Sequence, residues 1–538
     1  MRGQALTTAI LGLAVALSHG CSFVVDSKAD QCESSADCTS RGGAFVGAIC
    51  TRDKTCLATC TTNLGCIEAV GGPAICVKET AKCAPLLSPD CQTILQEPNA
   101  IEKDNAVVIG ILMPQTGENA ASMKPRVNAM ELARRHIHKA NSGLPGIGGG
   151  ASRPLVLLSC TDANDSLRAA RHLAEVVHVP AIIGPAFSGV TTTVAKEVTI
   201  PRGVLVISPS ATSPTLTDLA DNGLVWRTAP SDVLQATAMI QLVQKELEPA
   251  VRTTLTLTAT DKIRMVVVHK GDAYGAGLGS ALFNGLRFNG VSPSMNGETL
   301  YRQFDYGDPQ KVTDIAAKYK STVEEIVKFK PHIIITVGTT EAVTEIFSKV
   351  ETQWTESAFK PRHIVADGLQ VPELLARIGS DDALRMRVFG TIGAATGATY
   401  DSFVNEYKLN FGSDTRADSY SAGAYDATLL VSYAIAAAGS KPLKGSVINE
   451  GLKKTAATGG APVIQAGYQD INKSFAAMAG TGIDYNGASG PLNFDPVTGE
   501  APADIQIWCI KPGAAGYAPS GYNFAAASGV IEGKLACP

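Results

Sequence analysis

The strongest constraint on this chain is a strand, helix, strand pattern between residues 179 and 217. Two apolar runs, 179–183 and 203–207, are too short for helices and break abruptly into Gly, Pro, Ser and Thr. They read as buried strands feeding polar loops. The segment GVTTTVAKEV between them reads as one helix, with Ser188 just before it as N-cap and the unpaired N–H groups of the first turn open to a carboxylate. Ser208, Ser210 and Thr212 follow the second strand. Parallel strands joined by a helix deliver both loops to one carboxyl edge, where open α/β sheets bind ligands. Either loop alone is ordinary turn chemistry; their convergence is what points to a site.

The same alternation runs on both sides. Residues 107–113 form a continuous apolar strand, and a helix is expected over 124–141, with Pro125 in its first turn and Gly143 past its end. A strand at 155–159 leads to LRAARHLAEVVH, capped by Asp165 or Ser166, whose Leu167, Ala170, Leu173, Ala174 and Val177 make an apolar stripe. After Trp226-Arg227 a second series begins: strands 264–269, 332–337 and 363–366 alternate with helices 278–288 and 341–350, and 505–510 is a last strand. Repeated βα units predict mainly parallel sheets covered on both faces. Thr-rich 250–260 and Gly-rich 146–153 read as surface insertions, and Gly/Ala/Ser-rich 511–538 as a C-terminal extension.

At 538 residues the chain exceeds one ordinary core. Its net charge of −4 and lack of a Lys/Arg cluster leave no footprint for nucleic acid. Residues 1–20 carry Arg2, a short apolar stretch and Ser18-His19-Gly20 before Cys21, the pattern of a signal peptide on an exported chain. Gly20-Cys21 also resembles a bacterial lipoprotein cleavage point, so lipidation of Cys21 and a membrane anchor are expected, against the alternative of a periplasmic protein cut nearby. Nothing later reads as membrane-spanning.

Nine cysteines from Cys32 to Cys91 fall in a segment with almost no apolar periodicity, which reads as a disulfide module within 21–97. Zinc competes poorly, since the segment has no C-x-x-C pair and no His. Nine here and three beyond (Cys160, Cys509, Cys537) are both odd, so either a bridge joins module to body or one thiol stays free on each side. Cys91 precedes the first body strand and Cys160 ends the second, which makes them the expected pair; Cys509 with Cys537 is a second.

The segments VVIGILMPQTG (107–117), IIGPAFS (182–188), VISPSATSPTLT (206–217), VWRTAPSD (225–232), HKGDAYGAG (269–277), VADG (365–368) and GPLNFD (490–495) stand in an order and spacing that resembles the type I periplasmic binding proteins, in particular the leucine/isoleucine/valine-binding branch. The resemblance covers about residues 104–510. It implies two Rossmann-like α/β lobes with a cleft between them, lobe one from 104–228 and 391–487, lobe two from 229–390 and 488–510. The three crossovers then lie near Arg227, Thr391 and Gly487.

It also implies a site. Ser188 and the Thr212 N–H would hold a carboxylate; the Ser210 carbonyl within Ser210-Ala211-Thr212, the Thr212 hydroxyl and Asp367 would hold an ammonium; Tyr274 would pack on the ligand from the second lobe. Neutral donors for the anion and a carboxylate for the cation suit a zwitterion without stranding net charge. Thr339 stands where the branched-chain binders carry an aromatic, and Asp367 where they carry Glu, so a polar, smaller wall and a different amino acid or amide are expected. His136 and His138 face different sides of a helix, and no G-x-S-x-G, H-E-x-x-H or P-loop occurs, so neither metal, cofactor nor catalytic residues are expected. The function implied is capture of a small molecule and its delivery to the membrane subunits of an ABC permease. The alternative is a sensing module that reports the ligand to a signalling or surface partner.

Overall fold

The computed structural model describes residues 30–414, 418, 420–456 and 459–538. The signal segment 1–20 and Cys21 lie outside the described residues. Two sheets form the centres of two lobes. The first has six strands in the order Val225–Arg227, Leu205–Ser208, Ala181–Ile183, Val107–Leu112, Leu155–Cys160 and Cys91–Leu95, parallel except for the last. The second has eight: Tyr301–Asp305, Met265–His269, Ile333–Val337, Arg362–Val365 and Val388–Gly393 run parallel, and Ile505–Ile510, Tyr517–Ala525 and Val530–Gly533 continue antiparallel. The central parallel strands are apolar on both faces because helices cover both.

Several expected boundaries move. Cys91–Leu95, assigned above to the cysteine module, is an edge strand of the first lobe, paired antiparallel with Leu155–Cys160 in a register that sets Cys91 opposite Cys160. The disulfide between these two is present, as is Cys509–Cys537. Residues 511–538 are not a loose extension: their two strands widen the second sheet, and Phe524 and Ile531 are buried in its core. Thr391 lies inside the single strand Val388–Gly393, so the second crossover comes after Gly393; Leu492, Phe494 and Ala501 pack in the first lobe, so the third comes after Ala501 rather than at Gly487. The crossovers lie side by side, with the Arg227 N–H donating to the Gly499 carbonyl at 3.1 Å and the Ala394 N–H to the Asp504 carbonyl at 2.8 Å. Residues 248–254 form a helix with Val251 buried, rather than part of an insertion.

Four disulfides, Cys32–Cys50, Cys38–Cys56, Cys60–Cys76 and Cys66–Cys83, hold the module. Its sulfurs are thereby unavailable as thiolate ligands. The second half docks on the body through buried Asn63, whose amide donates to the carbonyls of Ile101 and Lys103 at 2.9 and 3.0 Å and accepts from the Cys76 N–H at 2.9 Å. Among the described residues, no helix is long and apolar enough to cross a membrane.

Candidate ligand-binding cleft

The carboxyl edges of the two sheets face each other across the cleft, and the loops leaving them line a cavity of about 140 Å³. Gly184 makes the first turn possible. Its φ is +111°, and a Cβ there would lie 2.1 Å from the Leu112 carbonyl oxygen. The helix that follows, Ser188–Val194, is not capped by Ser188; Phe187 occupies the cap position and Ser188 is the first helical residue. The Ser188 Oγ instead accepts the backbone N–H groups of both Thr212 and Ser213, each at 3.1 Å, and so locks the two loops together.

This arrangement changes the roles implied by the resemblance. The Thr212 N–H is engaged by Ser188, and the Thr212 hydroxyl, on the cavity wall, donates to Asp232 Oδ2 at 3.0 Å, which orients its oxygen and leaves it able to accept from a cation. Ser210 lines the cavity, donating its hydroxyl to the Ala186 carbonyl at 2.9 Å and accepting from Arg126 at 2.8 Å. Ala211 is fully buried among Ala195, Leu216 and Val225 and does not reach the cavity, because its N–H turns back to the Ser208 hydroxyl at 3.0 Å. Thr339 lines the cavity, and its hydroxyl donates to Glu341 and accepts from Lys270 at 3.4 Å.

Asp367 is the centre of the second-lobe wall. It accepts from the Tyr274 hydroxyl at 2.6 Å, the Gln235 amide at 2.9 Å and the Tyr420 hydroxyl at 2.7 Å. An ionised carboxylate has about four acceptor directions, so one remains for a cation. Burial raises the Asp367 carboxyl above its ordinary value while the two tyrosine hydroxyls pull it back. Asp232 stands well above the carboxylate range, first because it is buried and then because Asp367 is near; its Oδ1 has no hydrogen-bond partner among the described residues. Burial alone would depress the Lys270 ammonium, but Glu341, Asp272 and Asp308 outweigh it and hold Lys270 above its usual value.

Three contributors were missed from sequence. Arg126, on the helix Ala120–Asn141, forms a paired contact with Asp418 at 3.0 to 3.2 Å, reaches Ser210, and lies 5.0 Å over the Tyr420 ring. A signal existed: Lys124 and Arg126 sit near a helix N-terminus with no acid in the first turn, where the helix dipole disfavours cations. Gln235 and Tyr420 carried no such signal. The same helix starts at Ala120, earlier than expected, which places Pro125 in its second turn.

Residues 106–515 match the model of the periplasmic binding protein family. The chain belongs to this family. Among curated proteins, this periplasmic binding protein is 29% identical over 227 residues to a Leu/Ile/Val-binding protein homolog of Brucella melitensis, covering 41% of this chain and 54% of that one. The chain spans about half the length of the curated relatives it matches. In fold it is similar to the leucine-binding protein LivK of Thermotoga maritima, with a TM-score of 0.55 at 19% identity over 80% of this chain and 98% of the other. It is also similar to a solute-binding protein of an ABC transporter from Rhodopseudomonas palustris solved with 3,4-dihydroxybenzoic acid, with a TM-score of 0.53 at 16% identity over 81% and 99% of the two chains.

Proposed function

We propose that this chain is an exported solute-binding protein that captures an amino acid or related small zwitterion between its lobes and delivers it to an ABC permease. The observation that carries the reading is Asp367, a buried carboxylate held by three donors from two lobes with an acceptor direction left for an ammonium. The Ser188 hydroxyl proton, which no described residue accepts, is the donor for the carboxylate end, with Arg126, ion-paired to Asp418, holding Ser210 beside it. Met123, Val371, Pro372 and Ile392 supply an apolar wall for a small side chain. The roles of Ser210, Thr339 and Tyr274 are to shape and hold these groups rather than to touch a free ligand charge.

Binding without turnover follows from the function of the family, as does closure of two lobes on a guest. Export by residues 1–20 and a lipid anchor at Cys21 are part of the same proposal, supported by the apolar stretch and the Gly20-Cys21 junction. The test is a thermal-shift panel of leucine, isoleucine, valine, small polar amino acids, amides and benzoate on the full chain, since a ligand of the folded state raises the midpoint by mass action. A shift with an amino acid that disappears in Asp367→Asn supports the reading. A shift with benzoate and none with any amine overturns the zwitterion.

A further inference from the structure

Thr212 is held on three sides. Its N–H donates to the Ser188 Oγ at 3.1 Å, its carbonyl accepts the Asp232 N–H at 2.9 Å, and its hydroxyl donates to Asp232 Oδ2 at 3.0 Å. Asp232 is equally fixed: it is the first residue of the helix Asp232–Leu242, which Ser231 caps, and it is fully buried. Thr212 lines the ligand cavity together with Asp367, whereas Asp232 does not. The Asp232 carboxyl reaches a guest only through the hydroxyl it holds.

A threonine hydroxyl has a single proton to donate and lone pairs that accept. With the proton directed at Asp232, Thr212 offers the cavity its lone pairs, and no described residue donates to them. Burial, and then the nearby Asp367, favour a proton on Asp232; it fits on Oδ1, which has no partner among the described residues, so Oδ2 accepts from Thr212 in either charge state. Asp367 is near enough to raise the Asp232 carboxyl, so Thr212 and Asp367 present their acceptors at one end of the cavity. An ammonium, which only donates, satisfies both. A hydroxyl in its place has one proton to give, and after donating it to Asp367 its oxygen meets the Thr212 lone pairs and is repelled.

We propose that Asp232 is a positioning residue that sets the class of ligand: by holding the Thr212 proton away from the cavity, it makes the site take an amine and reject the hydroxy acid of the same skeleton. The inference rests on the zwitterion reading above and adds to it the group that enforces the amine. Specificity then comes from a repulsive element as much as from an attractive one, and that element is set by a side chain outside the cavity wall.

Isothermal titration of the full chain with leucine, valine, alanine and serine, each beside its 2-hydroxy acid, reads the preference directly. The wild-type chain should favour the amine about a hundred-fold or more. Asp232→Leu keeps the size of the side chain and removes the acceptor, so the preference should fall about ten-fold. Asp232→Asn, whose amide oxygen accepts from Thr212 without the charge, should stay within about three-fold of wild type. In a Thr212→Val background, Asp232→Leu should change nothing further, since the hydroxyl it acts through is gone. An unchanged preference in Asp232→Leu overturns the proposal, as does a further fall in the Thr212→Val background. A loss in Asp232→Asn equal to that in Asp232→Leu would show the charge acting on the ammonium directly and overturns it too. Binding of no amine by the wild-type chain removes the zwitterion reading and this inference with it, whereas equal binding of amine and hydroxy acid removes the inference alone. Should the Asp232 variants fail to fold, as judged by circular dichroism, neutron diffraction from deuterated wild-type crystals decides: a deuteron between Thr212 Oγ1 and Asp232 Oδ2 sustains the proposal, and one turned into the cavity overturns it.

Discussion

The Tyr420 hydroxyl donates to Asp367 Oδ2 at 2.7 Å across the cleft. Tyr420 begins the helix Tyr420–Ala437, whose body packs in the first lobe, whereas Asp367 follows the strand Arg362–Val365 of the second. The Tyr420 ring itself packs in a core cluster of the second lobe, so the bond ties the start of a first-lobe helix to the group proposed to meet the ligand's ammonium. The Ser213 hydroxyl, donating to the Ala273 carbonyl at 2.8 Å, is a second such link.

Replacing Tyr420 by Phe removes a donor to a buried carboxylate while keeping the ring under Arg126. A hydrogen bond to a charged group is worth about 1.5–3 kcal/mol. Ligand affinity measured by titration should fall about ten-fold or more, and small-angle scattering of the unliganded chain should show a larger radius of gyration. An unchanged radius together with unchanged affinity would separate this bond from closure.

Ser188→Ala strands two buried N–H groups, those of Thr212 and Ser213, on a single substitution. Each unsatisfied donor costs about 1–3 kcal/mol, so the urea midpoint should drop by a clearly measurable amount even without ligand. Ligand affinity should fall as well, because the loop that carries Ser210 is no longer held to the first helix. Ser188→Thr, which retains the acceptor, should recover most of the stability.

The Cys91–Cys160 disulfide closes a loop with a sequence separation of 69 and staples an edge strand to its neighbour. Loop-closure entropy puts its contribution at about 4 kcal/mol. The double variant Cys91→Ala, Cys160→Ala should therefore melt well below wild type under oxidising conditions. Protease should release the module and strand 91–95 before it cuts the rest of the first lobe.

His136, on the helix Ala120–Asn141, sits with Nδ1 2.7 Å from the Tyr425 hydroxyl and Nε2 3.8 Å from Glu406. Burial, and then the charge of Lys139, push its imidazole down to about 4. The folded value lies below the unfolded one of about 6.5, so this contribution is complete above pH 6.5 and is lost as the pH falls toward 4. It amounts to about 3 kcal/mol over that window. His136→Asn should reduce the difference between urea midpoints at pH 7 and pH 4.5; an unchanged difference would show that His136 does not drive the acid limb.

Much of the architecture was legible because it is local. Val107–Leu112 and Ile333–Val337 are short continuous apolar runs bounded by turn residues, and that pattern needs no partner to be read. The family resemblance named Ser188, Ser210, Thr212, Tyr274, Thr339 and Asp367, and all six line one cavity. It misassigned Ala211 and the Thr212 N–H, because which way a loop N–H points depends on the acceptor opposite it. The antiparallel widening of the second sheet by Tyr517–Ala525 and Val530–Gly533 was hidden for a related reason, since Gly- and Ala-rich segments become strands when an edge offers them a ladder.

What the residues determined alone was the class of fold and the cysteine-dense head, since periodicity of apolar side chains and parity of cysteines are properties of the chain itself. Tertiary structure decided the pairs that make the cleft: Arg126 with Asp418, separated by 292 positions, and Tyr420 with Asp367, separated by 53. Such contacts have no sequence period to announce them. They exist because two sheets turn the same edge toward one another and bring distant loops within hydrogen-bond reach.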